Sequence, residues 1–105
     1  MNTAAISLLS QAGISGTEAE ATLCHVLAKL AAPSEKSREI LRGLGLEPED
    51  VDPSNHRIAT IVRRLADAGL DEAAALTLFT GRGAPAILAL IARVGALERL
   101  QRPWT

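Results

Sequence analysis

The stretch ALTLFTGRGAPAILAL holds the residue group best suited to chemistry, Gly81-Arg82-Gly83, placed just before an apolar helix. Backbone N–H groups at a helix N-terminus bind anions, and a glycine-flanked arginine there is one form of phosphate cradle. The same residues also read as a helix stop followed by a helix start. Phosphate and dinucleotide loops follow a β-strand, and no strand pattern precedes Gly81. The turn reading therefore prevails. In it, Gly81 or Gly83 supplies a positive φ, Pro85 opens the next helix, and Arg82 complements a helix C-terminus.

Other clusters offer less. Asp50, Asp52 and Ser54 have the oxygen spacing that opens a calcium loop, but its sixth and twelfth places hold Asn55 and Ile61 rather than glycine and glutamate. A helix-capping loop fits better, with Asp52 as cap and Pro53 in the first turn. His25 and His56 fall on different segments without a cysteine or acid at metal spacing, and Cys24 beside His25 points another way on a helix. Cys24 reads as a small buried thiol. Glu18 and Glu20 face apart, which leaves no acid/base pair. Arg57, Arg64 and Asp67 share a helix face with Arg63 beside it, and a solvated face is the better reading for so few arginines among acids. A DNA-reading helix after Gly83 would present Ala84-Pro85-Ala86-Ile87-Leu88-Ala89 to the bases, none of which hydrogen-bonds through its side chain. The expectation is a protein that is not an enzyme, with no metal, no cofactor and no specific nucleic acid.

The elements that would position these residues are helical throughout. The chain has 105 residues, 48% hydrophobic but 2% aromatic, with a formal net charge of −1. That is one domain's length, residues 1–105, with a core of Ala, Leu, Ile and Val. Neither a signal sequence nor an apolar run of about 18 residues that could span a bilayer is evident. A soluble protein of a reducing compartment fits. Ile6 and Leu9 mark a first helix over 3–12, stopped at Gly13. A Thr17–Glu20 capping box opens a second helix, striped by Leu23, Val26, Leu27 and Leu30 and closed at Pro33. Ser34 caps a third, with Ile40, Leu41 and Leu44 inward and Gly45 as its stop. Ile58, Ile61, Val62 and Leu65 stripe a fourth, ending at Gly69. Asp71 caps a fifth, carrying Leu76 and Phe79. Pro85 opens a sixth, whose Ile87, Leu88, Leu90, Ile91 and Val94 leave it apolar on most of its circumference. The fold class is all-α, a compact bundle of about six short helices with a largely apolar last one. That last helix either fills the centre of the bundle or is covered by another chain.

In order, three stretches resemble the tape-measure proteins of tailed bacteriophages. They are Gly16-Thr17-Glu18-Ala19 with the leucine-rich helix ending Leu30-Ala31-Ala32-Pro33, the Arg38-to-Leu46 segment, and Phe79, Arg82, Pro85 and Ala86. The similarity runs from about Leu8 to Leu100. Thr80 stands where the family carries glycine after phenylalanine, which displaces the expected helix stop to Gly81. Cys24-His25 replaces an arginine–asparagine pair, and the closing Arg102-Pro103-Trp104-Thr105 has no counterpart. Tape measures run to many hundreds of residues, so the chain looks like an excised segment.

The resemblance implies a structural role: setting tail length while tube subunits polymerise around it, occupying the tube lumen, and leaving at genome ejection. It implies the tail tube protein and tail assembly chaperones as partners, with self-association a further candidate. The host cytoplasm during assembly and then the virion tail are the implied locations. It implies no catalytic residues, and no membrane segment falls in this stretch. The alternative is a small helical adaptor or regulator that binds a partner through its apolar C-terminal helix.

Overall fold

Three helices end alike in the computed structural model, which describes residues 3–101. Helix α1 spans Thr3–Gln11, α3 spans Glu35–Gly43 and α4 spans Ile58–Asp67. Beyond each lies a glycine with left-handed backbone: Gly13 (φ 96°), Gly45 (φ 85°) and Gly69 (φ 80°). That conformation turns the next N–H back toward the helix. Ile14 N thus donates to Leu9 O (3.0 Å), Leu46 N to Leu41 O (2.9 Å) and Leu70 N to Leu65 O (3.1 Å). The repeated glycine–aliphatic pair is a helix stop with a hydrophobic anchor behind it.

Three starts are set by side-chain caps. Ser34 accepts from Ser37 N (3.2 Å) and opens α3, and Asp71 accepts from Ala74 N (2.8 Å) and opens α5, Glu72–Ala92. Both fit the sequence expectation. The start of α2 does not. This helix spans Gly16–Ala31, and its cap is Ser15, in extended backbone, accepting from Glu18 N at 3.4 Å. Thr17 and Glu20 are exposed residues inside the helix rather than a capping box.

Asp52 also differs from expectation, since α4 begins only at Ile58. Asp52 instead follows a short 3-10 turn, Pro48–Val51, and its carboxylate accepts from Ser54 N and Ser54 Oγ. The closing residues 102–105 lie outside the described residues.

The stripes set the facing. In α4, Ile58, Ile61, Val62 and Leu65 are all buried, as their spacing requires. In α2 the buried line is Ala19, Thr22, Leu23, Val26 and Leu30. Leu27 is only partly buried and Cys24 is exposed, contrary to both readings. Each step along a helix turns about 100°, so Leu27 lies at the edge of that stripe and Cys24 beyond it. Ala5, Leu8 and Leu9 form the inner face of α1, with Ile6 half-buried. Leu41 is the buried apolar residue of α3, beside the buried Ser37, while Ile40 and Leu44 pack at its margin.

Helix α5 is the axis of the bundle and touches every other helix. It joins two helices that the sequence reading separates. Its C-terminal half holds the apolar stretch after Pro85, with Ala86, Ile87 and Leu90 buried. The helix expected to run on from Pro85 past Val94 breaks at Arg93, and a short α6 follows, Val94–Gln101, anchored by the buried Leu97. Leu76 is exposed rather than inward. Contrary to the expectation of no apolar run that could span a bilayer, α5 reaches a mean hydropathy of 1.5, enough by length and composition to cross a membrane. A central helix of a bundle meets the same test, and here α5 is interrupted at Thr80.

Gly83 lets α2 and α5 approach. A Cβ there would lie 2.9 Å from Phe79 Cβ, 3.1 Å from Val26 Cγ2 and 3.2 Å from His25 Cδ2. Gly81 has nothing within 4 Å and no left-handed φ. The two glycines therefore separate in a way their sequence does not show. Gly83→Ala should destabilise by roughly 1–3 kcal/mol through overpacking. Gly81→Ala should be neutral or gain up to about 1 kcal/mol of helix propensity. Paired urea melts check this, and equal losses at both positions would contradict it.

Candidate functional site

The hinge within α5 is where the molecule departs from regular structure. Thr80 has φ 63° and ψ 177°, the one positive-φ residue other than glycine among those described. This backbone region belongs almost entirely to glycine and costs about 1–3 kcal/mol in other residues. The expected stop at Gly81 or Gly83 is thus corrected: Thr80 itself makes the break. Its side chain is tied on both sides. His25 Nε2 lies 3.2 Å from Thr80 Oγ1 and 3.2 Å from Phe79 O, and Arg82 N donates to Thr80 Oγ1 at 3.3 Å.

His25 can donate to the Phe79 carbonyl, an acceptor at the end of the first half of α5. A lone histidine on a helix carries no such meaning in sequence, because its partner is 54 residues away. Pro85 lies in the second half, where it cannot donate to the Gly81 carbonyl one turn back. It neither starts the helix nor makes the hinge.

Position 80 allows a test that isolates the backbone. Thr80→Ala and Thr80→Gly both remove the hydroxyl, but only glycine relieves the strain. The glycine variant should be the more stable of the two by about 1–3 kcal/mol, the reverse of the order helix propensity dictates. Chemical denaturation measures the difference, and a more stable alanine variant would contradict the hinge.

The family-motif residues fall into three places. Phe79 and Ala19 are fully buried. Gly16 and Thr17 are exposed in the first turn of α2. Glu18, Arg82 and Pro85 come together, with Ile14, Thr22 and Gly81, around an open cleft of about 410 Å³. Neither the Glu18 carboxylate nor the Arg82 guanidinium has a hydrogen-bond or ion-pair partner among the described residues. Thr22 is 5% exposed, and its hydroxyl likewise has no partner among them. Thr22 is not among the residues that sequence motifs single out. Its signal was there, a hydroxyl set in the buried stripe of α2.

The other candidate groups are absorbed by structure. The arginine face is solvated at Arg57 and Asp67, as expected, and it also makes ties. Arg63 holds Glu98 of α6 with two bonds, Nε to Oε2 at 3.0 Å and Nη2 to Oε1 at 2.7 Å, and reaches Asp67 at 3.5 Å. These bonds, Glu98 first, raise the pKa of Arg63. Arg64 Nη1 donates to Asp50 O at 2.7 Å and lies 3.2 Å from His56 Nε2, tying α4 to the 3-10 turn.

In the acidic loop, Asp50 accepts from Glu47 N at 2.9 Å. The Ser54 N–H and hydroxyl hold the Asp52 carboxyl below its ordinary pKa. Stability from that depression is present above the ordinary carboxylate pKa and is lost as pH falls through the lowered value. Among the described residues no three His, Cys, Asp or Glu side chains gather as metal ligands. In comparisons with known proteins, no family model, no curated protein and no solved structure matches the chain.

Proposed function

We propose that this chain is a structural module of a phage or prophage tail, a segment of the tape measure that sets tail length and occupies the tail tube. The observation that carries this reading is the backbone at position 80. The family has glycine there, this chain has threonine, and the threonine takes a conformation proper to glycine. A turn retained through a side chain that disfavours it supports descent from a glycine-bearing hinge. The other motif residues fit a structural role too: Phe79 and Ala19 are core, and Gly16 and Thr17 open α2.

In this reading the chain is not an enzyme and takes no cofactor. Its partners are the tail tube protein and the tail assembly chaperones, in the host cytoplasm and then in the virion tail. Specific nucleic-acid binding and a membrane span form no part of it. An adaptor that docks through the apolar helix has less support, because Ile87 and Leu90 are at 0% and 1% exposure within the chain itself. Mass spectrometry of purified tails, with co-purification of tagged chain and tail tube protein from an induced host, tests the proposal. The chain should be found in assembled tails and should retain the tube protein. Its absence from tails would overturn the reading.

A further inference from the structure

We infer that the cleft between the first turns of α2 and the hinge of α5 binds a free α-amino acid, its ammonium toward Glu18 and its carboxylate toward Arg82. Two opposite charges line one cleft of about 410 Å³, and neither has a partner among the described residues. A volume of this order is that of a small-molecule site, in the roughly 300–1,000 Å³ class. A dianion such as phosphate would meet Arg82 but also the Glu18 carboxylate. A simple cation would meet the reverse. A zwitterion satisfies both.

The helix beyond the hinge adds to this preference. It runs from Gly81 to Ala92, and its N-terminal end carries the partial positive charge of the helix dipole, on the same side of the cleft as Arg82. A carboxylate is the group such an end favours.

Thr22 supplies the independent sign of a ligand. It is 95% buried on the stripe of α2, yet its hydroxyl has no hydrogen-bond partner among the described residues. No unsatisfied side-chain atom is fully sealed from solvent among the described residues, and the space that Thr22 lines is this cleft. The hydroxyl is placed to accept from an ammonium or donate to a carboxylate. Ile14 and Pro85 give the apolar walls against which a short aliphatic side chain would rest.

Two-dimensional ¹⁵N–¹H NMR titration of the full chain with L-alanine and L-leucine tests the site. Saturable shifts are expected at the amides of Ile14, Glu18, Thr22, Gly81 and Arg82. N-acetylalanine lacks the ammonium and alaninamide lacks the carboxylate, so each should bind at least about tenfold more weakly. Glu18→Gln and Arg82→Gln should do the same to alanine binding without moving the melting temperature, since both side chains are exposed. Millimolar inorganic phosphate should shift neither the spectrum nor the melting temperature. Absence of saturable shifts with millimolar amino acid would overturn the inference. So would equal binding of the blocked analogues or of phosphate, or shifts confined to other parts of the chain.

Discussion

Phe79→Ala should cost about 3–5 kcal/mol, the range for emptying a buried aromatic position. Phe79 is the single phenylalanine of the chain and has no solvent exposure. It ends the first half of α5, its carbonyl meets His25, and its Cβ stands against Gly83. Truncation would therefore leave a cavity at the point where α2 and α5 approach. Leu76 is the control on the same helix. At 47% exposure, its alanine variant should stay within about 0.5 kcal/mol of wild type. Urea midpoints of the two variants decide the matter, and equal shifts would mean that α5 is turned the wrong way.

Ile61→Ala carries the second-largest expected effect, about 2–5 kcal/mol. Ile61 is fully buried at the middle of the α4 stripe, between Ile58 and Leu65. Leu27→Ala should cost clearly less, although sequence spacing makes the two positions look equivalent. Leu27 is partly buried at the edge of the α2 stripe, so part of its surface is already in water. Differential scanning calorimetry should place the Ile61 variant well below the Leu27 variant. The reverse order would contradict the facing of α2.

What local chemistry decides was legible in advance. The glycine stops at 13, 45 and 69, the caps at Ser34 and Asp71 and the stripe of α4 all act within one turn of themselves. What distant residues decide was not. Thr80 takes the positive φ next to two glycines that do not, in contact with His25 on another helix. Arg63 has no visible partner in sequence until α6 brings Glu98 to it. Helix facing failed at Leu27 and Cys24, where one residue's rotation separates core from solvent, and at the exposed Leu76.

The candidate cleft shows the same division. Glu18 and Arg82 were each visible as charged residues in a motif, but 64 positions separate them in the chain, and only the packing of α2 on α5 makes them neighbours of one space. Thr22 was visible as a polar residue on an apolar face. Its lack of a partner belongs to the folded structure.

The most direct test of a tape-measure role is tail length. If the proposed tape-measure role holds, an in-frame deletion of this segment in the encoding genome, followed by electron microscopy of the tailed particles produced, reads the role as a distance. The folded chain is 34 Å along its longest axis. Drawn out as one continuous helix at about 1.5 Å per residue, it would span roughly 160 Å. Tails should therefore shorten by an amount between these two lengths, uniformly across the population. Particles with tails of unchanged length would contradict the account.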